Sequence, residues 1–196
     1  MFLTETEKNR REKIASDFEE VFIILFLLIA ADYELDQLES EEYYTDTLER
    51  YYEATAEKYL DDTEEYLSLA EPLLEDIVKT TLKHVSDGHT DDEEDRQDNY
   101  YLSNDRALEL AENGANMIAD YGDYEEAVKD GYTKKQWHTM EDDKVRDTHI
   151  PMDGKVIGIN EYFNVNGSKM RYPHDLSMNP DIAEISNCRC VCTYIK

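Results

Sequence analysis

The first seventy residues contain no glycine and no proline, so nothing between Thr4 and Pro72 interrupts a helix. These two residue types end helices most readily, and a stretch of this length without them favours long helices. Residues 4–7, TETE, have the Ser/Thr-x-x-Glu form of a capping box and predict a helix start. We expect a first helix over residues 5–38 and a second that begins near Ser40.

Charge is distributed unevenly along the chain. The formal net charge is -27, from 47 acidic and 20 basic side chains. Residues 131–196 hold nine of each sign, so residues 1–130 hold 38 acidic side chains and only 11 basic ones. A surface this acidic repels DNA and anionic lipid, because phosphate binding needs basic side chains. The imbalance predicts two structural units, of which the first is acidic and the second has balanced charge.

The only long apolar run is VFIILFLLIAA, at residues 21–31. As a helix it reaches about 16 Å, which is roughly half of a bilayer core. It follows a charged stretch, and no small-residue cleavage pattern of a signal peptide comes after it. We therefore expect a helix that is buried on all sides, and no membrane role.

Tyrosines are frequent in the second predicted helix. Tyr44, Tyr51 and Tyr59 lie seven and eight residues apart, which keeps them near one helical face. Their neighbours are acidic, and base stacking comes with basic grooves, so we expect packing between helices with hydroxyls in water. Pro72 is expected to begin a third helix that reaches residue 83. The acidic segment near residues 86–99 is expected to be a mobile loop.

The pattern changes in the second half of the chain. A connecting helix is predicted over residues 104–121, ended by Gly122 and followed by a short helical piece. Beyond residue 131, alternating residues predict a strand around Trp137, and Asp-Gly and Asn-Gly pairs at 153–154 and 166–167 predict hairpins. The expected fold class is α+β. Long acidic helices fill residues 1–100, and residues 101–196 add a small strand-bearing core, residues 131–196, with short antiparallel strands and one or two short helices.

Polar residues in this second half form a recognisable pattern. The segments are KKQWHTMEDDKVRDTHIPMDGKVIGINEYFNVNG at residues 134–167, RYPHD at 171–175 and ISNCRC at 185–190. Over about residues 105–192 the chain resembles the head-morphogenesis domain of phage Mu F-like minor head proteins. The positions that match the family signature are Lys135, Trp137, Asp143, Arg146, His149, Gly154, Glu161, Phe163, Tyr172, Pro173, Asn187, Cys188, Arg189 and Cys190.

The resemblance implies a structural protein of a tailed phage or prophage, present in few copies and associated with the portal end of the head. The implied partners are portal or capsid protein, bound through the helical part, and viral DNA is contacted indirectly if at all. The implied location is the virion, with the host cytoplasm as the site of assembly. Some relatives handle DNA at ejection, and the family's domain is not known as an enzyme.

Two other functions stay open on the residues alone. In a nuclease-like effector, Arg146 and His149 would bind and protonate a phosphate group. Asp142 would share their face if residues 142–149 are a helix that Pro151 ends. We favour an internal polar network at these residues and predict no catalytic residue, because no nucleophile or second acid is clearly paired with them. The other open function is an acidic decoy that mimics nucleic acid.

All three cysteines, Cys188, Cys190 and Cys192, lie within five positions. An odd number in one place predicts no disulfide framework. In a strand their sulfurs would share one face, at or beyond the limit for a bridge. We expect packed free thiols, in a strand that returns toward His149, and no cofactor. Zinc is the alternative, with His149, His174, Cys188 and Cys190 as candidate ligands, although Cys-x-Cys is not the usual knuckle spacing.

Overall fold

Residues 3–87 and 100–196 are described by the computed structural model, so most of the predicted mobile loop at 86–99 lies outside the described residues. Contacts divide the chain into two units. The helical unit comprises the described part of residues 13–112. The mixed unit comprises residues 3–12 and 113–196, whereas the expected boundary was near residue 100. The α+β class is confirmed, with long helices first and short antiparallel strands after them.

Four long helices lie within residues 3–87 and 100–129. They are α1 (Glu5–Glu34), α2 (Glu41–Ala56), α3 (Glu64–Asp87) and α4 (Asn104–Lys129). The hydroxyl of Ser40 caps α2 by accepting a hydrogen bond from the Tyr43 amide at 3.2 Å. The buried side chains of the helical unit are mainly aliphatic and aromatic, and the largest are Phe18, Phe22, Leu25, Tyr44, Leu48, Tyr52 and Tyr66. No helix among residues 3–87 and 100–196 is long and apolar enough to cross a membrane.

The buried stripe of α2 differs from the predicted one. Tyr44, Leu48 and Tyr52 are buried at intervals of four residues, whereas Tyr51 is 43% exposed and Tyr59 lies beyond the end of the helix. A four-residue interval also keeps side chains near one face of a helix, and the sequence contains tyrosines at both kinds of interval. The prediction of one Tyr44, Tyr51 and Tyr59 face is therefore wrong.

The hydroxyls of the buried tyrosines bond to protein groups. Tyr52 and Tyr66 share a hydrogen bond of 2.9 Å between their hydroxyls, in the core. Tyr44 donates to the carboxylate of Asp32 at 2.8 Å. Of the three hydroxyls expected in water, those of Tyr44 and Tyr59 instead donate to the carboxylates of Asp32 and Asp17 inside the helical unit.

Two residues that were expected to mark helix ends lie inside helices. Pro72 is in the interior of α3, at an exposed position where solvent can reach the carbonyl that its missing N–H leaves unbonded. Gly122 lies within α4, which continues to Lys129 because Tyr121 and Tyr124 on either side of the glycine are buried. Packing therefore outweighs the low helix propensity of both residues.

The apolar run at residues 21–31 is not buried on all sides. Its inward face holds Phe22, Leu25, Phe26 and Ile29, but its outward face carries an exposed stripe that continues to the residue after the helix. Leu27 and Leu35 are each 65% exposed. We call this exposed stripe, formed by Ile24, Leu27, Ala31 and Leu35, the α1 stripe.

The mixed unit contains two small antiparallel sheets. The first has the order β2–β1–β5, with β1 (Lys134–His138) between β2 (Val156–Gly158) and β5 (Val191–Ile195). The second is a hairpin of β3 (Phe163–Val165) and β4 (Ser168–Met170). A 3-10 turn (Ile150–Met152) and a short helix α5 (Ile182–Ile185) complete the unit. The predicted short strands are thus confirmed.

The two predicted hairpin turns have different outcomes. Asn166 and Gly167 join β3 to β4 with φ angles of 50° and 91°, as a two-residue hairpin requires. Gly154 also has a positive φ, of 70°, but its turn leads into β2 after a long connection from β1. The hairpin predicted at Asp153 and Gly154 is therefore wrong, although the turn itself is present.

β1 turns two large side chains into the core of the mixed unit. Lys135 and Trp137 are fully buried, as their alternation predicted. The ammonium group of Lys135 donates to the Ile159 carbonyl and lies 5.2 Å from the centroid of the Tyr124 ring. Burial lowers the pKa of Lys135 to about 8.

A buried carboxylate connects distant parts of the mixed unit. Asp120 in α4 accepts hydrogen bonds from Arg11 at 2.6 Å and from Nδ1 of His174 at 2.7 Å, one at each oxygen. Nε2 of His174 donates in turn to the carbonyl of Cys188 at 2.8 Å. Both ends of the sequence are therefore fastened to the same side chain.

Replacing Asp120 with asparagine is expected to lower the free energy of unfolding by about 3 kcal/mol, because it weakens two buried hydrogen bonds to a charged carboxylate, from Arg11 and from His174. The measurement is urea denaturation followed by circular dichroism. The control is Asp123→Asn, a partly exposed carboxylate paired with Arg10, which is expected to cost less than about 1 kcal/mol. Equal losses in the two variants would contradict the central role of Asp120.

Lys135 gives a pH-dependent prediction. Its pKa is about 8 in the folded chain against 10.5 as the ordinary value, so between these pH values the unfolded chain binds more protons. The stability of the wild type relative to Lys135→Met is therefore expected to rise between about pH 8 and pH 10.5. Denaturation curves at several pH values test this, with Lys134→Met as the matched exposed control. A flat difference would contradict the burial of a charged amine.

Candidate functional site

His149, Cys188 and Cys190 meet in the interior of the mixed unit. Nδ1 of His149 lies 3.4 Å from the sulfur of Cys190 and 3.6 Å from that of Cys188. The three ligating atoms lie within 4.8 Å of one another, and no residue of the three is more than 4% exposed. The prediction that the Asn-Cys-Arg-Cys segment returns toward His149 is confirmed.

The local backbone explains how these side chains come together. Asn187 has a left-handed φ of 54°, which reverses the chain after α5 and directs Cys188 inward. β5 begins only at Val191, so Cys188 and Cys190 lie in the segment before the strand. Cys192 pairs with Trp137 inside the sheet and is not part of the cluster. The prediction of a single strand through all three cysteines is therefore wrong.

A buried glutamate fixes the orientation of His149. Nε2 of His149 donates to Glu184 at 3.1 Å, and the same carboxylate accepts hydrogen bonds of 2.8 Å from both Thr148 and Asn166. Burial alone would raise the pKa of Glu184, but the hydrogen bonds from Asn166 and Thr148 and the nearby His149 together lower it. With a carboxylate at Nε2, the Nδ1 atom is the one presented to the sulfurs.

The two thiols of the cluster differ in acidity. The thiol of Cys188 donates toward the sulfur of Cys190, which lowers the pKa of Cys190; the neighbouring His149 also lowers it. The same thiol–thiol hydrogen bond, together with burial, raises the pKa of Cys188. Negative charge in this cluster is therefore best accommodated on the Cys190 sulfur.

Trp137 forms one wall of the cluster. Its ring packs edge-to-face on His149, with the centroids 5.8 Å apart. Its indole nitrogen is the one buried side-chain N or O atom without a hydrogen-bond partner of ordinary geometry in residues 3–87 and 100–196. The indole nevertheless lies close enough to Cys190 to help lower the pKa of that thiol. The unpartnered N–H thus favours an electron-rich sulfur beside it.

A small cavity adjoins the cluster. It has a volume of about 10 Å³, which is room for one water-sized ligand. His149, Cys188 and Cys190 line it together with the basic side chains of Lys144, Arg146 and Arg189. A small molecule in this cavity would therefore meet both the cluster and a cationic rim.

Asp142, Arg146 and His149, which were predicted to form one polar network, bond to separate partners. Residues 142–149 form turns rather than a helix, so Asp142, Arg146 and His149 do not share a helical face. Asp142 pairs through both oxygens with Arg189, at 2.7 and 2.8 Å, and Arg146 donates to the carbonyl of Ser186. The expectation of a helix ended by Pro151 is wrong, since Pro151 itself lies in the 3-10 turn.

The remaining signature residues have separate places. Lys135 and Trp137 face the core from β1, and Gly154 supports the turn before β2. The backbone N–H of Asn187 donates to the side chain of Asn113 at 2.7 Å. Asp143 is exposed and lies outside the cluster. Most of these residues therefore shape the small core around the cluster.

His174, the fourth candidate zinc ligand, lies outside the cluster. Hydrogen-bond acceptors face both of its ring nitrogens, namely Asp120 at 2.7 Å and the Cys188 carbonyl at 2.8 Å. Neither nitrogen is available to a metal. The structure thus brings together three of the four candidates, and His174 holds the backbone of one of them.

Sequence reasoning missed Glu184 and Asp120. Glu184 is the only acidic residue of α5, directly before the Asn-Cys-Arg-Cys segment, and this position was the one available signal. Asp120 lies in an acidic helix where nothing distinguishes it from its neighbours. Both carboxylates are nearly fully buried, and both bind a histidine.

Comparison with known proteins agrees with the residues of the cluster and its surroundings. A family model described as Phage Mu protein F like protein matches residues 75–193, which include the whole cluster and begin within α3. No curated protein and no solved structure gives a match. The matched region is more than half of the chain. The chain therefore belongs to the family of phage Mu protein F-like proteins, a family of structural phage head proteins.

Proposed function

We propose that the protein is a minor head protein of a tailed phage or prophage that acts in head morphogenesis by binding portal or capsid protein. The observation that carries this proposal is the family match over residues 75–193. The proposed location is the portal vertex or interior of the head. Direct DNA binding by the acidic part is disfavoured, because its carboxylates repel phosphate groups.

The α1 stripe is the proposed partner-binding surface. Ile24, Leu27, Ala31 and Leu35 lie three, four and four residues apart, which places them on one face of the helix. Exposed apolar side chains are usual at the centre of a protein interface, and a helix can bind by placing such a stripe in a groove. The acidic excess of residues 1–130 then favours a partner with basic residues at the groove edges.

The geometry gives less support to a nuclease. Arg146 donates to the carbonyl of Ser186, and both ring nitrogens of His149 face protein groups. A general acid needs a proton that it can deliver to a substrate, and a phosphate clamp needs a free guanidinium edge. An acidic decoy is disfavoured for another reason, since the α1 stripe presents apolar side chains where a nucleic-acid mimic would present charges.

The stripe is tested by Leu27→Glu combined with Leu35→Glu. Both side chains are mostly exposed, so the variant is expected to fold with an unchanged circular dichroism spectrum. Burying two added charges in an interface costs several kcal/mol, so incorporation into phage heads is expected to fall at least tenfold. The measurement is the amount of protein in purified heads after complementation of a deletion phage.

The matched control combines Tyr51→Glu with Leu108→Glu, two partly exposed apolar side chains on other helices of the helical unit, 43% and 41% exposed. It is expected to be incorporated normally. Normal incorporation of the stripe variant would remove the α1 stripe as the binding surface. Absence of the wild-type protein from heads would overturn the head assignment itself. Cleavage of DNA or RNA that His149→Ala abolishes would support the nuclease instead.

Point substitutions are a sharper test than truncation. Deleting residues 1–100 would also remove Arg11, which pairs with the buried Asp120 of the mixed unit. Loss of incorporation after such a deletion would then reflect either a lost binding surface or a destabilised mixed unit. The two double substitutions leave this ion pair intact.

A further inference from the structure

We propose that His149, Cys188 and Cys190 bind a zinc ion, with the fourth coordination position open to the adjoining cavity. The inference concerns the mixed unit alone and does not depend on which protein the helical unit binds. Its basis is the arrangement of three side chains of the two types that zinc prefers, cysteine and histidine, together with the groups that orient them.

The interatomic distances fit a tetrahedral zinc ion. Zinc lies about 2.3 Å from a thiolate sulfur and about 2.0 Å from an imidazole nitrogen, so a tetrahedral angle separates the two ligand atoms by about 3.5 Å. The observed separations from Nδ1 of His149 are 3.4 Å to Cys190 and 3.6 Å to Cys188. Both nitrogen–sulfur separations are therefore those expected around a shared zinc ion.

The partner of His149 is the one that a metal-binding histidine usually has. Such histidines donate their second ring N–H to a carboxylate or carbonyl, which fixes the tautomer and directs the other nitrogen at the metal. Here Nε2 donates to Glu184, and that carboxylate is held by Thr148 and Asn166. Nδ1 is thereby oriented toward both sulfurs, as ligation requires.

The backbone of Cys188 is fixed in the same way. Its carbonyl accepts a hydrogen bond from His174, whose other nitrogen bonds to the buried Asp120. Its amide donates to the carbonyl of Ile185 at 3.1 Å. Cys188 is therefore held on both sides before any ion binds, which reduces the entropy lost on binding.

Charge balance also favours an ion in this buried place. Two thiolates and one neutral imidazole carry a charge of -2, which one zinc ion cancels. The unpartnered indole N–H of Trp137 then lies beside a metal-bound thiolate, which is a better acceptor than a thiol. Without an ion, the indole N–H has only a thiol beside it and no hydrogen-bond partner of ordinary geometry.

The cavity supplies the remaining coordination position. Its volume of about 10 Å³ suits one water molecule as the fourth ligand. The ion would join the turn at His149 to the segment that leads into β5. Small domains often depend on such a link, because their cores bury little apolar surface.

Metal content tests the site directly. The full-length protein, purified from zinc-supplemented medium without an affinity tag, is expected to hold about one zinc per chain by mass spectrometry of the element. Cys190→Ser and His149→Asn are expected to lose at least tenfold in zinc affinity, since each removes one ligand. The matched control is Cys192→Ser, because Cys192 lies two residues away and outside the cluster, and it is expected to retain one zinc.

Cobalt(II) provides a readout in which all ligands stay in place. Added to the apo wild type and to apo Cys192→Ser, it is expected to give the thiolate charge-transfer absorption and intense visible bands of a tetrahedral site. If the ligand variants fail to fold, this cobalt spectrum still tests whether the wild type has the proposed metal site. An apo wild type that keeps its native circular dichroism spectrum and takes up neither zinc nor cobalt would overturn the proposal. Equal zinc retention in every variant would also overturn it, by indicating loose binding to surface carboxylates.

Glu184 is proposed as a positioning residue, and it has its own test. Glu184→Gln keeps all three ligands but removes the charge that His149 faces. The expected result is a loss of zinc affinity of about 10- to 100-fold, measured by competition with a chromophoric chelator. Glu161→Gln, an exposed carboxylate of the same unit, is the control and should leave the affinity unchanged. Unchanged affinity in Glu184→Gln would refute this positioning role.

Discussion

Asp120 accepts hydrogen bonds at both carboxylate oxygens in the interior of the mixed unit, from Arg11 at one and from His174 at the other. Its partners lie 109 and 54 residues away along the chain. A buried carboxylate is costly unless it is paired, and here each oxygen accepts a hydrogen bond from a buried side chain. The start of α1, the middle of α4 and the segment before α5 are therefore held in one arrangement, and the small sheets are added to this frame.

The same carboxylate determines where the cysteines lie. His174, which bonds to Asp120, also donates a hydrogen bond to the Cys188 carbonyl. The left-handed φ angle of Asn187 sets the direction in which the chain leads into Cys188. From the other side, Glu184 orients His149 toward the two sulfurs. Two buried carboxylates, each bonded to one histidine, thus position the cluster from opposite directions. A cluster that needed only to fill space would not require oriented donors on both sides, and this is the physical reason for regarding it as a binding site.

Local patterns in the sequence predicted the elements of the mixed unit but not its long-range contacts. Alternation around Trp137 was sufficient for β1, and Asn-Gly was sufficient for the β3–β4 turn, because both signals act over a few residues. The approach of the Asn-Cys-Arg-Cys segment to His149 was also predictable. The hydrogen bonds that Asp120 and Glu184 make with histidines were not predictable. An acidic residue in an acidic helix, such as Asp120, gives no sign that it is buried, and Glu184 was marked only by its position before the Asn-Cys-Arg-Cys segment. The helix ends predicted at Pro72 and Gly122 were wrong, since packing outweighed the low helix propensity of both residues.

The helical unit and the mixed unit differ in net charge, and the difference follows from what each unit buries. The helices bury their own aromatic and aliphatic face, so their outward positions can carry the acidic excess without weakening the core. That excess adds self-repulsion, and the exposed apolar α1 stripe is the surface that the proposed partner would cover. A partner with an apolar groove and basic edges would both cover the exposed apolar stripe and reduce the repulsion among the acidic side chains. The mixed unit carries a much smaller acidic excess, and its core contains the buried pairs of Asp120 and the cluster at His149.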